Sequence, residues 1–470
     1  YNEIDKKHPT KKGANLMLQQ NITNGNTSAR FFHVMQELKV AELLRRANIR
    51  KGCGVSAYEA FRFLLLLSFS HLNLFRYLAS AHAEQAGASK NTFYRFMNNT
   101  SFNWRRFLLL LSVRVTSAMS RLTRKGRIRS LVLDDSPVPR NRSKSVELLA
   151  RVFDHTVGHC IRGYNLLALG WTDGFSFIPV AFNLLTSPNK DNRYQEAKDG
   201  IDHRTVGYKT RMESMLHKPE AAFRLVQSAL AAGIRAEYLL MDSWFTTEPF
   251  IGRIRDLGLE VIGMAKNGQQ KYWFRGRLYT LGGLMHLVPS WNPKECYGSL
   301  SVCTRYQRIP LRVVFVRNRN KRSECIFLLS TDCSLSDEEI IRIYGNRWKI
   351  EVCFKASKSL FKLGREFQSR DYGASVCHTA IVFTRYILLE WMKRQEKDPR
   401  SYGQLFYDMC DDVKDMELGE ALKSLMTLFG KLLADLSVES TKLVKSLLSD
   451  WFASQSRYVQ GLLGNLAWES

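Results

Sequence analysis

Between Ser130 and Ala265 the apolar residues switch repeatedly between strand-like and helix-like spacing, and this order constrains the fold more than any other feature. Ser130–Asp135 (SLVLDD) is a short apolar run ending in acid, which suits a strand. Tyr164–Trp171 and Phe175–Leu184 are two more such runs, and the Asp173-Gly174 pair between them is a hairpin signal. Thr186–Pro219 is polar and charged without a clear period, so it reads as a long loop. Glu220–Ala232 has helical spacing, and Glu237–Asp242 (EYLLMD) is a fourth strand that again ends in acid. Pro249–Leu257 reads as a helix and Leu259–Ala265 as a fifth strand. Strand, strand, strand, helix, strand, helix, strand predicts an α/β domain built on a mixed sheet.

The flanks read differently. Residues 1–30 are polar and Asn-rich, an arm rather than a core element. From Phe31 to Arg121 the spacing is helical, with Leu74–Gln85 and Asn91–Asn98 as two helices separated by Gly87 and Ser89. This pattern predicts either a helix-turn-helix, offering Lys90, Asn91, Tyr94 and Arg95 to DNA, or an ordinary helical hairpin with a basic face. Residues 266–330 carry the strand-like runs Gln270–Phe274, Ser299–Thr304, Leu311–Val316 and Cys325–Ser330, a β-rich insertion. A long helix follows, opened by a Ser336/Glu339 capping box and closed at Gly364. From Ala374 onward the chain reads as helical, broken at Asp398-Pro399. The predicted division is 1–125 (helical, DNA-binding), 126–265 with 331–370 (catalytic core), 266–330 (insertion) and 371–470 (C-terminal helices).

Charge points to a partner. The 69 basic against 44 acidic residues give a formal +25, and such a surface attracts polyanions because neutralised phosphates release condensed counterions. A membrane protein is not expected: the most apolar runs, Phe63–Phe69 and Phe107–Val113, fall far short of the ~20 residues that span a bilayer. The chain opens on Tyr1, and no secretory leader is expected. Nine cysteines, with no Cys-x-x-Cys pair, fit reduced thiols in a cytoplasm rather than a disulfide framework or zinc ribbon. Asp154-His155…His159-Cys160 has no accompanying pair at zinc spacing and is not read as a metal site.

Three acids stand out by position. Asp134 ends the first strand, Asp242 ends the fourth, and Glu351 lies on the long helix after the fifth. The strand order is that of the ribonuclease-H-like fold, in which the first and fourth strands are neighbours. Their ends would bring Asp134 and Asp242 together and let the helix lay Glu351 alongside. Phosphodiester cleavage uses such a cluster, since two divalent ions about 4 Å apart activate the attacking oxygen and stabilise the leaving one. Hard oxygen ligands suit two Mg²⁺ ions, or Mn²⁺. Around Glu351, Tyr344, Arg347, Lys355, Lys358 and Lys362 fall on one helical stripe. A solvated charged face is the plain alternative. A DNA-cutting site explains more, with the glutamate on metal, cations on flanking phosphates and a tyrosine that hydrogen-bonds or stacks.

The spacing Tyr344-x2-Arg347-x3-Glu351-x6-Lys358 resembles the Tyr–Arg–Glu–Lys signature of the insertion-sequence-4 group of bacterial transposases. LVLDDSPVPR and EYLLMDSWF resemble that group's two aspartate segments, and GWTDGFSFIPVAF its intervening hairpin; the likeness runs roughly from Ser130 to Arg370. The resemblance implies a cut-and-paste enzyme that nicks the transposon end, forms a DNA hairpin and reopens it. It implies Asp134, Asp242 and Glu351 as metal ligands, and Tyr344, Arg347 and Lys358 as contacts to end phosphates. It also implies the β insertion, where an aromatic in some members holds a flipped base. Trp273 and Trp291 are candidates for that role or ordinary packing residues.

Asp134 and Asp135 are adjacent and point to opposite faces of a strand, so one alone can face the metals, and the acid-x-Ser spacing favours Asp134. Basic segments at Arg121–Arg129, Arg204–Arg211 and Arg317–Arg322 are either tracks for the DNA backbone or solvated loops. The expected partners are double-stranded DNA, as terminal inverted repeats and target, and a second copy of the chain on that DNA. The expected location is the cytoplasm, at the bacterial nucleoid. A DNA-binding descendant that no longer cuts, and a repair or junction nuclease, are the competing readings.

Overall fold

The computed structural model describes residues 27–80, 86–123, 126–288, 296–318, 324–367, 369–412 and five residues between 444 and 450. It divides into two compact units. One comprises 1–32, 69–71 and 403–470; within it Phe69 packs against Phe31 (ring centroids 5.9 Å) and Phe406 (5.4 Å). The other, 33–68 with 72–402, holds the whole sheet and the helices described below from Val40 onward.

The N-terminal part is helical, as its spacing predicts: α1 (Thr27–Glu37), α2 (Val40–Arg46), α3 (Ala57–Leu66), α4 (Leu74–Leu78), α5 (Lys90–Met97) and α6 (Trp104–Leu122). Side chains of Ser56, Asn73 and Asn103 accept the N3 amides of α3, α4 and α6 and so fix where these helices start. The helix expected over Leu74–Gln85 is shorter: α4 ends at Leu78, and residues 81–85 lie outside the described part.

Next come β1 (Ser130–Pro139), β2 (Ala150–Asp154), β3 (His159–Thr172) and β4 (Phe177–Leu185). Between β3 and β4, Gly174 takes φ 83° and the Asp173 carboxylate accepts the amides of Phe175 and Ser176, which builds the predicted turn. The stretch read as one long loop, Thr186–Pro219, contains a helix, α7 (Val206–Ser214), whose amphipathicity is too weak to announce it. The chain continues through α8 (Lys218–Ala231), β5 (Tyr238–Met241), α9 (Glu248–Asp256) and β6 (Glu260–Ala265).

In the sheet, β1 pairs antiparallel with β3 and parallel with β5; β5 pairs parallel with β6; β4 lies on the far side of β3. This is the ribonuclease-H-like arrangement, with β2 as an added strand that the sequence pattern does not announce. All nine residues of β4 are buried, and α6, α8 and α13 (Tyr372–Glu396) pack on it. At Gly170 of β3 a Cβ would sit 2.1 Å from the Phe177 ring, so only glycine permits this approach.

The β-rich segment comprises β7 (Lys271–Phe274), β8 (Arg277–Thr280), α10 (Leu281–Met285), β9 (Cys296–Thr304), β10 (Pro310–Arg317) and β11 (Cys325–Ser330). Its strands extend the same sheet, because β11 pairs antiparallel with β6. The expected single long helix is two: α11 (Asp337–Gly345), which carries the predicted capping box, and α12 (Trp348–Ser359). At the junction Arg347, Lys349 and Ile350 donate to carbonyls three residues back, a tightened 3₁₀-type turn at Gly345-Asn346, two weak helix formers. α12 ends at Ser359, before Gly364, whose amide instead donates to His378 Nε2 (3.1 Å).

Two buried cations tie these layers together. Arg385 of α13 donates to the carbonyls of Leu64 and Leu65 and forms an ion pair with Glu366 (2.8 Å). Arg211 of α7 bridges Glu147 (Nη2, 2.8 Å) and Asp371 (3.0 Å), and Glu147 also accepts the Tyr372 amide. Among the described residues no helix is long and apolar enough to cross a membrane, and the eight cysteines whose side chains are described are free thiols. Arg211→Met would leave Glu147 buried without its cation, so urea unfolding should show a loss of about 3–5 kcal/mol; a loss below about 1 kcal/mol would mean that this triad is not what joins α7 to α13.

Candidate active site

The last paired residues of the β1–β5 ladder are Leu133 and Met241, so the chain leaves it at Asp134 and Asp242 side by side. Asp242 directly follows β5, but Asp134 does not end its strand as the sequence pattern predicts: β1 runs on to Pro139 against β3, and Asp134 lies where its parallel pairing with β5 stops. Both acids thus stand at the carboxyl end of the parallel ladder, where α/β sheets place their ligand sites. Asp134 Oδ1 accepts the Asp135 amide (2.8 Å), and Asp242 Oδ1 accepts the Trp244 amide (3.0 Å).

Arg347, in the tight turn before α12, reaches this corner. Its Nη1 donates to Asp134 Oδ2 (2.9 Å) and its Nη2 to Glu351 Oε1, one turn further along. One guanidinium thus joins two of the three acids that the sequence singled out. The Tyr344 ring lies 5.9 Å from the guanidinium carbon. Lys358 donates to Ser136 Oγ (2.7 Å), two residues beyond Asp134 on the same face of β1.

Burial sets the electrostatics here. Desolvation pushes Asp134 up to about 7, with Asp242 and Asp135 adding to the rise and Arg347 and the Asp135 amide opposing it. Desolvation raises Asp242 as well. It drives the Tyr344 phenol up to about 12 and lowers Lys358. Burial also works against the charge of Arg347, but Tyr344, Asp134 and Glu351 outweigh it and its pKa rises.

The neighbouring acid is engaged elsewhere. Both Asp135 oxygens accept from Lys218 Nζ (2.9 and 3.0 Å), and Oδ2 also accepts from Asn165 Nδ2 (2.6 Å). Lys218 in turn lies 4.3 Å from the centroid of the Trp244 ring. Sequence reasoning does not find Lys218, Asn165 or Trp244; only Trp244 has a visible signal, its place two residues after Asp242.

Other expected residues lie apart. Lys355 is exposed on α12. Lys90, Asn91, Tyr94 and Arg95 sit on α5, which packs on α3 and α13; all but Tyr94 are exposed, and Lys90 Nζ lies 5.0 Å from the Phe75 centroid. Trp273 donates to the Arg305 carbonyl (3.0 Å) and carries Arg308 3.9 Å from its centroid, while Trp291 lies outside the described residues. Arg211 is buried and cannot track a DNA backbone. Arg129 pairs with Glu237 and Arg204 with Asp202; residues 124–125 and 319–323 of the other basic runs lie outside the described part.

Comparison with known proteins gives two family matches. The model described as DDE superfamily endonuclease matches residues 73–276, and the one described as Transposase DDE domain matches residues 217–388. Among solved structures the chain is similar to one described as the Drosophila P element transposase strand transfer complex, at 8% identity and a TM-score of 0.21, over 88% of this chain and 93% of that one. No curated protein matches the sequence. Enzymes of these families depend on divalent metal ions, and carboxylate oxygens are the hard donors that such ions take. Among the described residues no three acidic, His or Cys side chains stand close enough to hold an ion as they are, and Arg347 supplies the positive charge between Asp134 and Glu351.

The raised pKa of Asp134 has a consequence for stability. The fold holds this proton more tightly than the unfolded chain does, so its contribution is present below pH 4 and is lost as pH rises from about 4 to about 7. Asp134→Asn removes that loss. In metal-free buffer the variant should show a higher urea midpoint than the parent at pH 8, with the gain fading toward pH 4. Equal midpoints at pH 8 would show that Arg347 fully offsets the burial of the carboxylate.

Proposed function

We propose that this chain, a metal-dependent DNA endonuclease and strand transferase of the DDE kind, is a cut-and-paste transposase of the insertion-sequence-4 group. The observation that carries the reading is the pairing of β1 with β5, with Arg347 joining Asp134 to Glu351 beside it. Together with the Tyr344–Arg347–Glu351–Lys358 spacing, it supports assigning Asp134, Asp242 and Glu351 as the metal ligands. The engagement of Asp135 with Lys218 and Asn165 supports Asp134 as the first of them.

Two Mg²⁺ ions, when bound, would activate the attacking oxygen and stabilise the leaving one. The chain's own residues do the rest. Arg347 offers a planar fork that matches a phosphate, and Lys358 lies close enough to Ser136 to grip the next phosphate along the strand. Tyr344 keeps its proton, because burial holds its pKa high, and donates a hydrogen bond to a phosphate oxygen. Lys355, exposed one turn after Glu351, meets the backbone further out. On α5, Lys90, Asn91, Tyr94 and Arg95 form a second contact, to the terminal inverted repeats.

In this reading the enzyme nicks the transposon end, the freed 3′-hydroxyl attacks the opposite strand to give a hairpin, and water reopens it before insertion into target DNA. Two copies of the chain act together on paired ends, at the bacterial nucleoid. The proposed division of labour keeps residues 1–125 for DNA binding, 126–265 with 331–370 for chemistry, 266–330 as the insertion and 371–470 as a C-terminal helical region.

The test is cleavage of labelled linear DNA bearing the element's terminal repeat, in Mg²⁺ or Mn²⁺. The parent should yield nicks and hairpins; Glu351→Gln should lose at least about a thousandfold in rate yet still shift the DNA on a gel. Nicks without hairpins would withdraw the cut-and-paste route. Binding without cleavage by the parent would withdraw the assignment of this triad.

A further inference from the structure

Arg347 stands where the proposed metal ligands need positive charge. One arm of its guanidinium donates to Asp134 Oδ2 (2.9 Å) and the other to Glu351 Oε1. These are the hard oxygens that a divalent ion takes, and each already accepts from the arginine. Among the described residues no three acidic, His or Cys side chains converge closely enough to hold an ion. The obstacle is electrostatic as well as steric. An ion on these oxygens would sit beside a guanidinium of the same sign.

The arginine is placed to move. Arg385, the buried counterpart, spends its donors on the carbonyls of Leu64, Leu65 and Phe361 as well as on Glu366. Arg347 donates to carboxylates on two separate elements, and one of them, Glu351, is only half-buried. Its backbone is fixed, since its amide donates to the Tyr344 carbonyl (2.9 Å), so any exchange is a swing of the side chain. Lys218 and Lys358 are bonded to Asp135 and Ser136, and neither replaces the guanidinium between the two acids. A DNA phosphate offers the same planar fork two charged oxygens. Once a phosphate takes it, Asp134 and Glu351 face each other without their cation.

We infer that Arg347 closes this corner to divalent ions until a DNA phosphate draws its guanidinium away, so that DNA and metal bind the chain cooperatively. The coupling is reciprocal: whatever factor DNA adds to metal affinity, metal adds to DNA affinity. An arginine that merely braced Glu351 for metal would have the opposite effect, since its removal would weaken metal binding. The inference rests on the proposed role of Asp134 and Glu351 as metal ligands.

The experiment titrates Mn²⁺ into the full chain and follows free Mn²⁺ by electron paramagnetic resonance, with and without a saturating duplex carrying the terminal repeat; Mn²⁺ held by the duplex alone is subtracted. The duplex should tighten Mn²⁺ binding by the parent about tenfold. Arg347→Met should bind Mn²⁺ about tenfold more tightly than the parent without DNA, and the duplex should then add less than about twofold. Adding Glu351→Gln to that variant should abolish the gain. The duplex effect in the parent is a test that needs no variant to fold. No tightening by the duplex, unchanged or weaker Mn²⁺ binding by folded Arg347→Met, or a gain that survives Glu351→Gln would each overturn the inference. Cleavage by the parent in Mg²⁺ is scored separately. A parent that cuts while its Mn²⁺ affinity ignores Arg347 sinks the gate alone. A parent that never cuts but shows the Arg347-dependent coupling sinks the nuclease reading alone.

Discussion

The register of β1 against β5 is the constraint from which the rest of the corner follows. Leu131–Leu133 and Leu239–Met241 are fully buried on both faces, and a slip of one residue would draw a flanking acid into this apolar stretch. With the register set, Asp134 and Asp242 must emerge together at the ladder's end, and two carboxylates brought into one partly dry corner need positive charge nearby. Arg347 provides it in the protein alone. Divalent ions are the other cations able to do so, and that is the dependence expected of a DDE enzyme.

The break between α11 and α12 belongs to the same design. A straight helix from Asp337 to Ser359 would carry Tyr344, Arg347 and Glu351 on one stripe, as the spacing predicts. The 3₁₀-type turn keeps Arg347 and Glu351 one turn apart but re-aims the guanidinium across to β1. Such tightened turns inside helices recur at functional hinges. The residues of the stripe therefore part company. Tyr344 and Arg347 close against the acids, Lys358 reaches Ser136, and Lys355 stays in solvent.

Much of this is legible in the sequence, and the parts that are not have identifiable causes. Strands buried on one or both faces, such as β1, β4 and β5, announce themselves because apolar runs ending in turn residues have few other uses. The capping box at Ser336 and the turn at Asp173-Gly174 are local chemistry and are equally readable. What escapes is tertiary. α7 carries no apolar stripe, since Arg211 at its centre is held by Glu147 and Asp371, residues distant in sequence. The edge strands β2 and β8 are short. The split of the expected long helix into α11 and α12 turns on Gly345-Asn346, weak helix formers that a long helix can also tolerate. Lys218 is invisible for the same reason as Arg211: its partners, Asp135 and Trp244, are assembled by the fold and not by the local sequence.

The large basic excess is not all surface. Arg211, Arg347 and Arg385 lie inside, each against carboxylates that burial would otherwise leave uncompensated. Two of these sites serve the architecture, and the third differs from them in how completely its cation is satisfied. Arg385 saturates its fork with carbonyls and Glu366 in a fully buried setting. Arg347 instead holds two acids at a partly open corner, where Glu351 keeps a third of its side-chain surface exposed. A buried ion pair with every group satisfied resists change, whereas one at an open edge can exchange partners with a phosphate at little desolvation penalty. This incomplete closure, more than the presence of three acids, is what supports the proposed reading of the corner as the place where DNA is cut.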